Sequence, residues 1–167
     1  LIYYYFEGKD KILEELTKQQ TAEAMAFKDS LYKNEGLDKD AVPDLNFMEH
    51  FKSKTISNGT FDQYLNQVFD FNKKQKDILS ILMIEALKAN GNQETFFRML
   101  EMHFHEALER VHINDPDNYP AFFTRTVFFA YIPLAAFVIF GEKWCEHNHL
   151  DYKTIEIIFK QMLKKQL

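Results

Sequence analysis

The sequence predicts an all-α chain, and three observations predict it. Apolar residues recur at helical spacing along almost the whole length, no run alternates like a strand for long, and only five glycines and four prolines interrupt 167 residues. The length suits one domain with a sizeable core. With 46% hydrophobic and 27% charged residues, the composition is that of a globular protein and not of a disordered one. Aromatics reach 16%, including 17 phenylalanines, and side chains this bulky line an apolar cavity as readily as they fill a core.

The elements follow in order. Leu1 to Phe6 forms the first turns, and Glu7-Gly8 breaks them. A second helix runs from about Lys9 to Tyr32 with the stripe Ile12, Leu13, Leu16, Ala24, Phe27 and Leu31, and Asn34-Glu35-Gly36 stops it. After a loop with Pro43, a short helix covers about Asn46 to Lys54 and Ser57-Asn58-Gly59 turns the chain. Thr60-x-x-Gln63 has the form of a capping box and starts a helix through Leu65, Val68, Phe69 and Phe71. The helix from about Lys74 to Ala89 is apolar nearly all round, which predicts a central position. Gln93 to Val111 forms another, with Phe96, Phe97, Leu100, Phe104, Ala107, Leu108 and Val111 on one side. After the turn Asp115-Pro116-Asp117, a long helix runs from about Pro120 to Glu146; Pro120 suits its first turn and Pro133 should kink it. The last helix spans about Tyr152 to Lys165. No internal repeat, low-complexity tract or dividing linker is visible, so periodicity gives a single all-α domain of about seven helices.

Charge and motifs exclude several function classes. A formal net charge of -5 is not that of a domain binding nucleic acid over its whole surface, so any DNA contact must be local or lie outside these residues. The single cysteine, Cys145, permits no internal disulfide and fits a reducing compartment. The uncharged run Val127 to Phe140 is shorter than the roughly 20 residues that span a bilayer. The first residues carry no basic stretch of the signal-peptide kind. No phosphate loop, nucleophile elbow or His-Glu-x-x-His motif is present, and no enzyme activity or cofactor is expected.

The opening residues carry a resemblance. Leu1-Ile2-Tyr3-Tyr4-Tyr5-Phe6-Glu7-Gly8-Lys9-Asp10-Lys11-Ile12-Leu13 resembles the end of the DNA-binding domain of the tetracycline repressor (TetR) family. There the recognition helix closes on a Leu-Tyr-x-x-Phe segment, and a Lys, an acidic residue and an apolar pair open the next, long helix. Ile2, Tyr3 and Phe6 take the first set of positions, and Lys9 and Ile12-Leu13 the second. Beyond Leu13 the likeness is one of layout. It implies residues 1–7 as the end of a partial helix-turn-helix and 8–167 as a ligand-binding and dimerisation domain. Tyr3 and Lys9 then reach DNA phosphates, which fix register and not sequence. The chain would start partway through the recognition helix, so specific operator binding would belong to the full-length protein.

The family's homodimers pair their last two helices across a two-fold axis. Carried over, this makes Phe128, Ile132, Phe137, Phe140, Trp144, Ile155, Phe159 and Met162 the interface. A helix buried within one monomer fits the same pattern. The family mechanism has a small molecule enter the helical domain, move the helix that starts at Lys9, and change the spacing of two DNA-reading heads, which must match one turn of duplex. Pocket candidates are Phe27, Tyr64, Phe69, Met83, Phe97, Met99, Phe104, Phe123 and Tyr131, each of which also fits plain core packing. Such a lining favours an apolar or aromatic ligand. The expectation is a cytoplasmic, homodimeric, ligand-responsive transcriptional regulator with no membrane role. The alternatives are a carrier of lipophilic ligands and a protein-interaction module without a DNA role.

Glu101, His105 and Glu109 stand at i, i+4 steps, but His103 and His105 point apart, so surface ion pairs account for them as well as a metal does. Cys145-x-His147-x-His149 has no fourth ligand nearby, and no metal site is expected. Glu85 in its apolar helix either faces a pocket, where it would attract a cationic ligand, or sits on the least buried side.

Overall fold

The computed structural model describes residues 8–34, 60–88, 93–102 and 116–166, and these are helices joined by turns with no strand among them. The predicted helix at 46–54, the segment 1–7 and the continuation of the 93–111 helix past 102 lie outside the described residues.

Helix α1 (Lys9–Asn34) begins at Gly8, whose φ of +143° is one that side-chain-bearing residues rarely adopt. Asp10 in its first turn and Lys33 in its last complement the helix dipole. Helix α2 (Thr60–Lys74) has Thr60 as its first residue. It closes where the Gln75 amide donates to the carbonyls of Phe71 and Asn72, and α3 (Lys76–Leu87) follows at once. Helix α4 covers residues 93–102.

A continuous 32-residue helix, Pro116–His147, comes next. It opens with a 3-10 turn (Pro116–Asn118) and α5 (Tyr119–Thr124), with Pro120 in the first turn as predicted. Seven residues of π-helix (Arg125–Tyr131) then lead into α6 (Ile132–His147). Pro133 explains the π segment. A proline has no N–H to give to the carbonyl four residues back, and its ring crowds that carbonyl. Widening the preceding turns moves the bonding register, so that the Ile132 amide donates to Val127, five residues back. Backbone angles at Tyr131 and Ile132 stay helical. The proline changes the helix type locally and does not end the helix.

Helix α6 stops on a left-handed cap. His149 has φ of +55°, its amide donates to Glu146, and the Leu150 amide reaches back to Cys145 at 2.9 Å. Two residues on, Asp151 starts α7 (Tyr152–Gln166): its Oδ2 accepts from the Thr154 amide at 2.8 Å and the Thr154 hydroxyl at 2.7 Å. The result is a tight hairpin of α6 and α7.

The chain divides into two compact units, and within the described residues the boundary between them falls at the start of α3. The first unit holds α1, nearly all of α3, and α4. Its buried apolar side chains are Leu13, Leu79, Leu82, Phe96, Met99 and Leu100. The second holds α2 and everything from α5 to α7. Leu65 and Phe69 of α2, Leu134 and Val138 of α6, and Leu163 of α7 form its core.

Two expectations change. Helix α3 is buried on one side only: Leu79, Leu82 and Glu85 are inside, while Ile81, Ile84 and Leu87 are 41%, 54% and 81% exposed. The buried face of α1 is also more polar than its apolar stripe suggested. Leu13 is buried, but so are Thr17, Gln20 and Thr21, while Ile12, Leu16, Ala24 and Phe27 are half-buried. Thr17 manages this by donating its hydroxyl to the Leu13 carbonyl at 2.9 Å.

Candidate partner surface and sensing residues

The second unit is built around an aromatic cluster. Phe137 of α6 stacks on Phe159 of α7, with ring centroids 4.2 Å apart, and on Tyr152 at 5.8 Å. Phe69 of α2 meets Phe137 and Phe159 edge-on at 6.1 and 5.9 Å. A polar strap covers the side where α2 and α7 meet. Lys73 and Lys160 both hold Glu156, at 2.6 and 2.5 Å, and Lys160 also lies 4.5 Å above the Phe69 ring and donates to Asn66. Burial pushes the Glu156 carboxyl up, but the hydrogen bonds from Lys160 and Lys73 outweigh it and hold the group below the usual carboxylate range. The Tyr152 phenol is pushed up to about 12, first by burial and then by Glu156 beside it.

These contacts fix what the opposite flank presents. Glu156 and Lys160 turn toward α2, so Ile158 and Met162, which stand at other angles on α7, lie on the flank away from it. On α6, Phe140 and Trp144 follow Phe137 at helical i+3 and i+7 steps, so they border the seam with α7. Phe140, Trp144, Ile158 and Met162 are 57%, 54%, 44% and 63% exposed. Ile157 beside them on α7, Leu150 in the hairpin turn, and Phe128 and Phe129 in the π segment are exposed as well. Exposed apolar side chains in this number on two paired helices are the kind that a partner covers. The helix Pro116–His147 is also long and apolar enough to cross a membrane by length and composition, with 44% of its most apolar stretch buried.

The structure sorts the interface residues read from the sequence. Phe128, Phe140, Trp144 and Met162 are exposed, Ile132 and Ile155 are half-buried, and Phe137 and Phe159 are spent on each other inside the unit. Ile157 and Ile158 are exposed as well, on a second apolar face of α7 that lies only one or two residues in sequence from Phe159.

The pocket candidates fall in both units. In the first, Met99 is fully buried, Phe27 and Met83 are half-buried, and Phe97 is 54% exposed on the outer side of α4. In the second, Phe69 is part of the core, Tyr131 is 8% exposed with burial raising its phenol pKa, and Phe123 is half-buried against Tyr119 at 6.4 Å. Phe104, the Tyr64 side chain and Tyr3 lie outside the described residues, as do His103 and His105. Of the remaining constellation, Cys145 is buried while His147 and His149 are exposed, so the three do not converge. Among the described residues no three His, Cys, Asp or Glu side chains gather as metal ligands would.

Lys9 and Glu85, far apart in sequence, meet in the structure. Glu85 is 6% exposed and ion-pairs with Lys9, and Lys88 donates to its other oxygen at 2.5 Å. The cations beside Glu85 are therefore the chain's own lysines. No protein-family model, curated protein or solved structure matches this chain.

Proposed function

We propose that this chain is the ligand-sensing and dimerising part of a cytoplasmic transcriptional regulator of the TetR kind, whose α6–α7 hairpins pair across a two-fold axis. The observation that carries the proposal is the exposed apolar flank of Phe140, Trp144, Ile158 and Met162 on the last two helices. An isologous contact needs one self-complementary patch, and an antiparallel helix pair with an apolar flank supplies it. The opening sequence up to Leu13 supports the DNA side of the reading, because it resembles the end of that family's recognition helix and the start of the helix that follows. In this role the protein is a binding protein and not an enzyme. A small, apolar or aromatic molecule acts on the helical domain and changes operator affinity by altering the spacing of the two reading heads.

Sedimentation analysis of the purified chain tests the carrying step. The wild type is expected to sediment as a dimer, and Phe140→Glu with Trp144→Glu to shift it to monomer with its far-UV helical signal intact, since both side chains are more than half exposed. A wild type that is monomeric at micromolar concentration, or that partitions into lipid vesicles, would contradict the dimer and point the same flank at a heterologous partner or a bilayer.

A further inference from the structure

Glu85 is the one buried charged side chain among the described residues. It lies on the face of α3 that Leu79 and Leu82 bury, and two ammonium groups converge on it. Lys88 is three residues away and reaches Oε1 at 2.5 Å. Lys9 comes from another helix, as the first residue of α1, and pairs with Oε2. Hydrogen bonds from Lys88 and then Lys9 hold the carboxyl below its usual range against the opposing effect of burial.

The two lysines are not equivalent. A buried carboxylate stripped of its sole partner is strongly destabilising. Glu85 has a second partner that is local and stays with α3 wherever the start of α1 goes, so Lys9 can leave without exposing an uncompensated charge. The Lys9 side chain is 55% exposed, which leaves its ammonium open to solvent and to competing anions. It also sits at the positive end of a 26-residue helix, which adds to the attraction for an anion there.

We infer that Glu85 is a positioning residue for Lys9: it holds the lysine against α3 in one state and yields it to a nucleic-acid phosphate in the other. The buried face of α3 is thereby coupled to the start of α1 through one exchangeable ion pair. The inference rests on the regulator reading, which supplies the phosphate.

The test compares the full-length wild type with Glu85→Gln and Lys9→Met on a duplex from beside the protein's own gene and on a scrambled duplex, over a salt series. With the clasp removed in Glu85→Gln, operator affinity is expected to rise about fivefold or more, the lower end of common coupling factors. Lys9→Met, which leaves Glu85 with Lys88 and should fold normally, is expected to lower the slope of log affinity against log salt by about 0.9, the loss of one phosphate contact. Amide exchange at Ile12 and Leu13 without DNA gives a separate reading of the clasp, and Glu85→Gln should accelerate it several-fold. Wild type that prefers the operator, with an unchanged salt slope in Lys9→Met or unchanged affinity and exchange in Glu85→Gln, overturns the inference and leaves the regulator reading standing. Wild type that shows no preference over scrambled DNA overturns that reading, and the handover to phosphate with it.

Discussion

Replacing Gly141 by alanine sets two effects of known size against each other. Gly141 is buried in the middle of α6, where alanine is favoured over glycine by about 1 kcal/mol through helix propensity alone. Against this, a Cβ at that position would stand 3.2 to 3.3 Å from three atoms of the Phe137 ring. The ring would have to yield by a few tenths of an ångström, and its surroundings oppose that. It is stacked on Phe159 at 4.2 Å and 16°, lies 5.8 Å from Tyr152, and meets the edge of Phe69 at 6.1 Å. Overpacking a filled core costs roughly 1–3 kcal/mol. The packing loss therefore exceeds the propensity gain, and Gly141→Ala should destabilise by up to about 2 kcal/mol, or roughly 4–8 °C in Tm for a chain of this size. Urea unfolding followed by circular dichroism measures it. The same substitution in a Phe137→Leu background, where the ring is gone, should recover most of the roughly 1 kcal/mol propensity benefit. Stabilisation by Gly141→Ala in the wild-type background would show that Phe137 is free to move and that the aromatic cluster is not the rigid centre of the second unit.

Further outcomes follow from the same contacts. Phe69→Ala removes a ring with no exposed surface and is expected to cost about 3–5 kcal/mol by urea unfolding; a cost below about 1 kcal/mol would mean that Phe69 borders an open cavity, as a pocket residue would. Glu156 has a folded-state pKa held below its ordinary value, so its contribution is present at neutral pH and disappears as pH falls through the carboxylate range. Glu156→Gln should thus lower Tm at pH 7 while removing part of the acid-side decline, which a Tm series from pH 7 to about pH 3 would show.

Much of this architecture was legible in the sequence because period and punctuation agree. Pro120 in a first turn, the apolar stripes of α2 and α7, and the stop near Glu146 all appear close to where they were expected. The departures have physical causes. Pro133 marks a disturbance of its helix because it removes one hydrogen bond, but the sequence does not reveal that the preceding turns widen and re-pair the remaining ones. Helix α3 reads as central because Ile81, Ile84 and Leu87 are apolar, yet apolar character does not say which side a neighbour covers. The reverse holds for Gln20 and Thr21 on α1, polar residues whose burial no periodicity of hydrophobic positions can announce. His149 invited a metal-ligand reading, whereas its place is the left-handed cap of α6, a position that favours glycine and gives no composition signal when histidine fills it. Of the residues the sequence offers for a partner surface, Phe128, Phe140, Trp144 and Met162 are exposed, but only packing shows that Phe137 and Phe159 are already consumed within the unit.

The central claim is that a dimer built on the α6–α7 flank reads DNA, and operator binding by the full-length protein tests it most directly. The expected result is binding to the duplex beside its own gene in preference to a scrambled one, weakening as salt rises, and loss of that preference in the Phe140→Glu, Trp144→Glu monomer, because two heads one helical turn apart are needed to dock. Equal binding to both duplexes, or undiminished specific binding by the monomeric variant, would contradict it.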